Sequence, residues 1–141
     1  MKPERMKEAQ RWLSQSENDL AGAQVLQREG FFALACFTSQ QAAEKALKAL
    51  HYLGGERHVL GHSVVELLAG LVQEYPDLRS MNEAASSLDQ YYVPTRYPDA
   101  LPGGAPFEVY RREQAEEAVS IAEGIIQVAE RLISQEESEQ A

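Results

Sequence analysis

The sequence predicts an all-α protein, an antiparallel up-and-down four-helix bundle with one additional short helix. Apolar residues recur every three to four positions along most of the 141 residues, and no strand-like alternation extends beyond a few residues. Glycines and prolines interrupt this pattern at intervals that are typical of helix ends. A bundle buries the apolar face of every helix, and the chain is long enough for one domain. We assign residues 1–135 to this domain and expect the polar tail, 136–141, to fray.

The first two helices are the longest amphipathic segments. The first is predicted to begin near Pro3, a residue suited to the first helical turn, and to end at Gly30. Its inward residues are Ala9, Trp12, Leu13, Ser16, Leu20, Ala23 and Leu26. The second is predicted from Phe31 to Leu53, where two glycines close it. Its inward face is rich in small residues that let a neighbouring helix approach closely, and comprises Phe32, Ala35, Cys36, Ser39, Ala42, Ala43, Ala46, Leu47, Leu50 and Leu53.

Two shorter helices are predicted after the glycine pair. Ser63 and Glu66 form a capping-box pattern at the start of the third helix, and Pro76 ends it. Ser80 and Glu83 repeat the capping pattern for a fourth helix. The predicted core residues of these two helices are Val64, Leu67, Leu68, Leu71, Val72, Met81, Ala84, Ala85, Leu88 and Tyr91.

The segment from Val93 to Pro106 predicts a long loop. Its four prolines and two glycines exclude regular helix, and its length is unusual for a connection between helices. Long loops in compact domains are more often functional than short ones. The last helix is predicted to begin at Pro106, with Phe107, Tyr110, Ala118, Ile121, Ala122, Ile125, Val128, Ala129 and Leu132 facing inward.

Charge and cysteine content restrict the class of function. The formal net charge of −9 argues against general affinity for the nucleic-acid backbone, DNA included. Cys36 is the only cysteine, so no intrachain disulfide can form, and its apolar surroundings favour a core role. No apolar run reaches the length of about 18 residues that indicates a membrane span. The charged N-terminus lacks the apolar stretch of a signal peptide, and we therefore expect a cytoplasmic protein.

Four polar residues share one face of the second helix: Gln41, Glu44, Lys45 and Lys48. Two lysines beside a glutamine favour the binding of a phosphate or a carboxylate, because ammonium groups act as point charges for such anions. The alternative is a solvated helix surface on which Glu44 and Lys48 form a favourable pair one turn apart.

Arg96 lies between Tyr92 and Tyr97 in the long loop, and two prolines restrict the backbone there. An arginine held in this way suits planar recognition of a phosphate, or stacking on a base. The alternative is structural: Arg96 pairs with Asp99 or with a carboxylate at a helix end and fixes the loop. Both interpretations stay open.

His58 and His62 have a spacing that would suit a metal site if they lay on a helix. The glycines around them disfavour a helix, and no cysteine or further histidine completes a ligand set. We therefore predict no metal and no other cofactor. His62 is interpreted as part of the start of the third helix.

Several segments together are similar to the HEPN (higher eukaryotes and prokaryotes nucleotide-binding) family. The strongest is QQAAEKALKA at positions 40–49, which resembles the family's second-helix signature. Four more match in order: SENDLA at 16–21, GFFALA at 30–35, HSVVELL at 62–68 and YVPTRYPD at 92–99. The resemblance extends from about residue 10 to residue 133.

This resemblance implies an antiparallel helical bundle that commonly dimerises and is often encoded beside a minimal nucleotidyltransferase, including in toxin–antitoxin pairs. It also implies that some members are metal-independent ribonucleases, which use an arginine followed after four to six residues by a histidine across a dimer interface. No histidine follows Arg96. Arg57 and His62 fit the spacing, but they lie between the second and third helices, whereas the family's motif lies near the fourth.

Three hypotheses follow. The first is a non-catalytic nucleotide-binding or accessory subunit of a minimal nucleotidyltransferase; the second is a ribonuclease toxin that uses Arg57 and His62; the third is a purely structural oligomer. In all three we expect a homo-oligomer, a dimer or a dimer of dimers. For the first, the nucleotide would contact Gln41, Lys45, Lys48, Tyr92, Arg96 and Tyr97. Glu44, Arg96 and Asp99 would form a supporting cluster in which Arg96 meets Glu44 and leaves both lysines free.

Overall fold

The computed structural model describes residues 2–140 and confirms the all-α antiparallel bundle. Six α-helices and two short 3-10 helices follow one another within these residues. The α-helices are α1 (Lys2–Arg28), α2 (Phe32–Leu53), α3 (Val64–Ala69), α4 (Asn82–Asp89), α5 (Pro106–Val109) and α6 (Arg112–Gln140). The 3-10 helices span Pro76–Met81 and Pro98–Ala100. Within the described residues no helix is both long enough and apolar enough to cross a membrane.

The three long helices build the core, and α2 packs against both α1 and α6. Alanines on all three helices are fully buried at these contacts, and their small side chains let the helix backbones approach closely. They include Ala9, Ala23, Ala35, Ala42, Ala43, Ala46, Ala49, Ala115, Ala118, Ala122 and Ala129. The small residues of α2 are therefore used inside the protomer, so they provide no argument for oligomerisation.

The predicted helix boundaries are confirmed at three places. Gly30 adopts a φ of 88°, which suits glycine, and the chain turns there between α1 and α2. Gly55 does the same after α2, with a φ of 102°. Ser63 caps α3, because its side chain accepts a hydrogen bond from the Glu66 N–H at 3.1 Å.

The predicted third and fourth helices need correction. α3 ends at Ala69 rather than near Pro76, and turns connect it to the 3-10 helix that begins at Pro76. The capping role predicted for Ser80 is wrong: its hydroxyl donates to the Asp77 carbonyl at 3.1 Å within the 3-10 helix. α4 begins only at Asn82 and has no side-chain cap. The same local hydrogen bonding that makes serine a good cap also stabilises a tight turn.

The predicted last helix is broken into two. α5 ends at Val109, and Tyr110 adopts an extended backbone with a ψ of 143° before α6 begins at Arg112. The Tyr110 ring packs edge-on against Tyr91, with ring centroids 5.9 Å apart. The inward orientation predicted for Phe107 is wrong: the residue is 78% exposed, because α5 does not continue the register of α6.

The tail is helical as far as Gln140, and the last residue, Ala141, lies outside the described residues. The fraying predicted for residues 136–141 stays a prediction. Cys36 lies in the core with no exposed surface, as predicted. Burial, with a smaller contribution from the charge of Glu117, raises the pKa of its thiol to about 12, which makes it a poor nucleophile.

Candidate functional site

On the polar face of α2, Glu44 and Lys48 are buried, and Gln41 and Lys45 are half-buried. Glu44 and Lys48 are only 3% and 6% exposed, and the Lys48 ammonium lies 3.2 Å from a Glu44 carboxylate oxygen. The same ammonium lies 5.8 Å from the centre of the Trp12 indole. The predicted pair therefore forms, but the predicted solvent exposure is wrong, because side chains from neighbouring elements cover the pair.

The prediction that both lysines are free for an anion is wrong. Lys48 is bound by Glu44, and Lys45 makes an ion pair with Asp19 of α1 at 2.7 Å. Lys45 also lines a groove of about 880 Å³ along α1, which contains Trp12 but no residue of the long loop. The Lys45 pair thus connects α2 to α1, whereas the Lys48 pair lies within α2 itself.

Gln40 belongs to this region although its sequence position did not predict it. It is fully buried; its amide nitrogen donates to the His62 carbonyl at 2.7 Å, and its oxygen accepts from Gln41 at 2.8 Å. Gln41 also reaches Glu44 at 3.4 Å. One signal was available: Gln40 lies one turn after Cys36 on the apolar side of the helix, where a polar residue needs a buried partner.

His62 is brought to this cluster by the start of α3. Its Nδ1 atom lies 3.2 Å from a Glu44 oxygen, and its ring stacks on Tyr92 with centroids 4.8 Å apart. The side chain is 56% exposed. His62 does precede the α3 cap, as interpreted from the sequence, but its side chain joins the polar face of α2 to the long loop.

Asp89 of α4 fixes the segment that follows His62. Its carboxylate accepts hydrogen bonds from the Ser63 hydroxyl at 2.8 Å and from the N–H groups of Val64 at 2.6 Å and Val65 at 3.2 Å. These donors have no partner inside the helix, so the carboxylate satisfies the first turn of α3. The His62 backbone is consequently held from both sides, by Gln40 and by Asp89.

Arg96 is held by aromatic rings. Its guanidinium carbon lies 4.3 Å from the centre of the Phe37 ring, 4.8 Å from that of Tyr92 and 5.2 Å from that of Tyr97. Its Nε atom donates to the Tyr92 carbonyl at 2.8 Å. We call Arg96, Phe37, Tyr92 and Tyr97 the aromatic clamp.

The predicted contacts of Arg96 with Glu44 and Asp99 are not formed. Among residues 2–140 Arg96 makes no ion pair, and Asp99 is exposed in the 3-10 helix that follows. Stacking on three rings stabilises a guanidinium without a carboxylate. Within the described part of the chain, the link between Arg96 and Glu44 is indirect: Arg96 packs on Tyr92, which stacks on His62, and His62 contacts Glu44.

Arg57 does not join this cluster. It is exposed and lines a separate groove with Arg5, His58 and Glu56. In the described chain, therefore, the structure brings His62 to Arg96 through Tyr92 rather than to Arg57. Across residues 2–140 no three histidine, cysteine or acidic side chains converge in a way that could hold a metal ion.

Comparisons with known proteins identify the family. The family model described as "HEPN domain" matches residues 9–132. A protein of Methanocaldococcus jannaschii with the name "Putative toxin MJ1304" is 30% identical over 131 residues, which cover 87% of this chain and 86% of that protein. Among solved structures, TT1696 of Thermus thermophilus is 45% identical with a TM-score of 0.83, covering 87% of this chain and 96% of that one.

Two further solved structures are similar. ST0689, described as an archaeal HEPN homologue, is 37% identical with a TM-score of 0.71 and covers 89% of this chain and 97% of that one. A HEPN domain protein of Thermotoga maritima is 36% identical with the same TM-score, and covers 88% of this chain and 98% of that one.

Proposed function

The chain belongs to the HEPN family, and on this basis we propose that it is a non-catalytic nucleotide-binding or accessory subunit that works with a minimal nucleotidyltransferase in the cytoplasm. The observation that supports nucleotide binding is Arg96, a guanidinium fixed by three rings and not neutralised by a carboxylate among the described residues. The similarity to the "Putative toxin" of M. jannaschii supports a role in a toxin–antitoxin-like pair.

The aromatic clamp has the chemistry of a nucleotide site. Among the described residues, Arg96 donates a hydrogen bond only through its Nε atom, so its terminal N–H groups can donate to a phosphate in the bidentate geometry that guanidinium favours. Tyr97 is 53% exposed and can stack on a base. Tyr92 is less suited to this, because His62 already stacks on its ring.

Lys45, Lys48 and Gln41 take a smaller part in this proposal than the sequence predicts. The lysine charges are compensated by Asp19 and Glu44, so they add little net attraction for a phosphate. Their role in the proposed site is to hold α2 in place and, through Glu44, to position His62 and Tyr92 against Arg96.

The test is titration of ATP and of GTP, by calorimetry, against the wild type and Arg96→Ala. We expect Arg96→Ala to weaken binding about tenfold or more, because charge-assisted hydrogen bonds to phosphate are lost. Arg79→Ala is the matched control, since Arg79 is exposed in another element and its loss changes the net charge equally. Equal or undetectable binding by all three would leave a purely structural oligomer as the better hypothesis.

The proposed assembly is a homodimer or a dimer of dimers. Large apolar side chains are exposed at the start of α2, at Phe31 and Leu34, and in α5, at Phe107 and Val109, and α2 contacts α5. Exposed apolar groups that lie on contacting elements favour an association surface. In sedimentation at micromolar concentration, Phe31→Ser with Leu34→Ser should dissociate the oligomer, whereas Leu60→Ser, an exposed apolar position in a different loop, should not. A wild type that sediments only at 15.7 kDa would contradict the assembly.

A second candidate function, a metal-independent ribonuclease, is favoured by one observation. The Glu44 carboxylate lies 3.2 Å from Nδ1 of His62, and a hydrogen bond from an Nδ1 proton to this carboxylate would leave Nε2 free to act as a base. Nε2 would accept the proton of a ribose 2′-hydroxyl while that oxygen attacks the adjacent phosphorus and the 5′-oxygen leaves with a proton from solvent. Arg96, on the same Tyr92 ring, would stabilise the negative charge on the phosphorane.

Cleavage of RNA in the presence of a chelator distinguishes the two candidates. Activity that is lost in both His62→Ala and Arg96→Ala but kept in Arg57→Ala would favour this ribonuclease. Loss in Arg57→Ala and His62→Ala alone would favour the arrangement predicted from the sequence spacing. We expect no cleavage by the wild type, because the proposed accessory subunit is non-catalytic.

A further inference from the structure

A regular ladder of side-chain contacts joins α1 and α6. Gln10 donates to the Glu137 carboxylate at 2.6 Å, and Gln24 donates to Glu123 at 3.4 Å. Positions 10, 17 and 24 on α1 are seven residues apart, as are 137, 130 and 123 on α6. Since seven residues make almost two turns of helix, the pairs 10–137, 17–130 and 24–123 lie along one seam between antiparallel helices.

The middle pair differs from its neighbours because both members are acidic. Glu17 and Glu130 occupy the position where the ladder would otherwise place a glutamine opposite a glutamate. Two carboxyl groups form a hydrogen bond only if one of them keeps its proton. The hydrogen bond with Glu130 raises the pKa of Glu17 to about 7, and burial and the negative charge of Glu130 act in the same direction.

Within the described chain, no basic side chain forms an ion pair with Glu17 or Glu130, so no other positive charge neutralises the pair. On α6, Arg131 follows Glu130 but pairs with Asp77 at 3.7 Å. On α1, Asp19 lies two residues after Glu17 in the sequence and is paired with Lys45 of α2. The other acidic groups of the seam, Glu123 and Glu137, are bound by glutamines.

We propose that Glu17 and Glu130 share a proton which holds the centre of the α1–α6 seam, so that this seam loosens as the pH rises through neutrality. The proposal concerns regulation of the bundle itself and is independent of nucleotide binding. It depends on the register of the ladder. In this register two acidic side chains face each other at the centre, whereas at each end a glutamine faces a glutamate.

The folded and unfolded states bind different numbers of protons, and this difference determines how stability changes with pH. In the unfolded chain Glu17 loses its proton around its ordinary pKa of 4.5, whereas in the folded chain it keeps the proton up to about pH 7. The folded state binds more protons between these values, so the stabilisation is complete below pH 4.5 and is lost as the pH rises towards 7. Above neutrality the two carboxylates repel each other, although solvent around the exposed Glu17 weakens the repulsion.

The experiment uses the full chain and Glu17→Gln, which gives the middle pair the amide–acid composition of its neighbours. Stability is measured by urea unfolding at pH 5 and pH 8. We expect the ratio of the variant's folding equilibrium constant to that of the wild type to rise about fivefold between these pH values. Glu116→Gln, an equal change of charge at an exposed α6 position, should show a constant ratio.

Two local measurements keep the test specific. A carbon-13 titration of the Glu17 carboxyl should have its midpoint near 7 in the wild type and well below that in Glu130→Gln. Hydrogen exchange, corrected for its intrinsic pH dependence, should accelerate between pH 6 and pH 8 in α1 and α6 but not in α2. A constant stability ratio for Glu17→Gln, or an ordinary midpoint for Glu17, would overturn the proposal.

Discussion

Lys48 and Arg96 lie in one region, linked by Glu44, His62 and Tyr92, yet the structure holds their positive charges in opposite ways. Lys48 is buried against the Glu44 carboxylate, and its charge is compensated inside the bundle. Arg96 is held by the faces of three aromatic rings, which fix its position without neutralising it. A compensated charge that is buried contributes to the scaffold, whereas a fixed charge without a carboxylate remains available to an anion.

The largest expected effect comes from breaking the buried pair. Glu44→Ala leaves the Lys48 ammonium buried without a partner, which should lower the free energy of unfolding by about 3–5 kcal/mol. Urea unfolding measures this, and Asp19→Ala, which breaks the less buried pair with Lys45, should cost much less. If Glu44→Ala costs no more than Asp19→Ala, Lys48 reaches solvent in the folded state and is itself available to an anion.

An intermediate effect is expected at Gln40. Gln40→Leu removes the donor to the His62 carbonyl and leaves that carbonyl unpaired, which should cost about 1–3 kcal/mol of stability. The His62 ring resonances should also move, because the ring would lose its fixed position on Tyr92. Gln135→Leu, at an exposed position of α6, is the control. Unchanged His62 resonances in Gln40→Leu would show that Asp89 alone positions the histidine.

The smallest effect on stability is expected for Arg96. Arg96→Ala removes stacking contacts in a loop and should lower the free energy of unfolding by about 1 kcal/mol, with helicity unchanged by circular dichroism. Its effect on ligand binding should be much larger than its effect on folding. A loss of stability as large as that of Glu44→Ala would place Arg96 in the scaffold and remove the contrast with Lys48.

The long helices were predictable because the secondary structure of their residues is indicated mainly by the local apolar periodicity. The apolar stripes of α1, α2 and α6 repeat over many turns, so small errors do not change the result. The short elements depend on competition between local alternatives. Ser80 offers the same sequence pattern as Ser63, but only Ser63 has a carboxylate from another helix to complete its cap.

For the candidate site, the sequence indicated which residues lie near one another better than it indicated their contacts. Glu44, Lys48, Tyr92, Arg96 and Tyr97 do lie in one region, joined by His62. Opposite charge suggested that Arg96 would bind an acid, whereas in the structure the rings surround it. Burial of the polar face of α2 and the inclusion of Gln40 depend on elements far apart in the chain, and helical spacing contains no information about them.

The Asp89 carboxylate has a consequence for the order in which the chain acquires its structure. α3 has only six residues, too few to be stable in isolation. Its first two N–H groups and the hydroxyl of its capping serine donate to a residue that follows 24–26 positions later. Because α1 and α2 precede α3 in the chain, we expect the α1–α2 hairpin to form during synthesis before α3 can persist. The histidine that completes the cluster is therefore set in place only after α4 has been synthesised, so the cluster is assembled late.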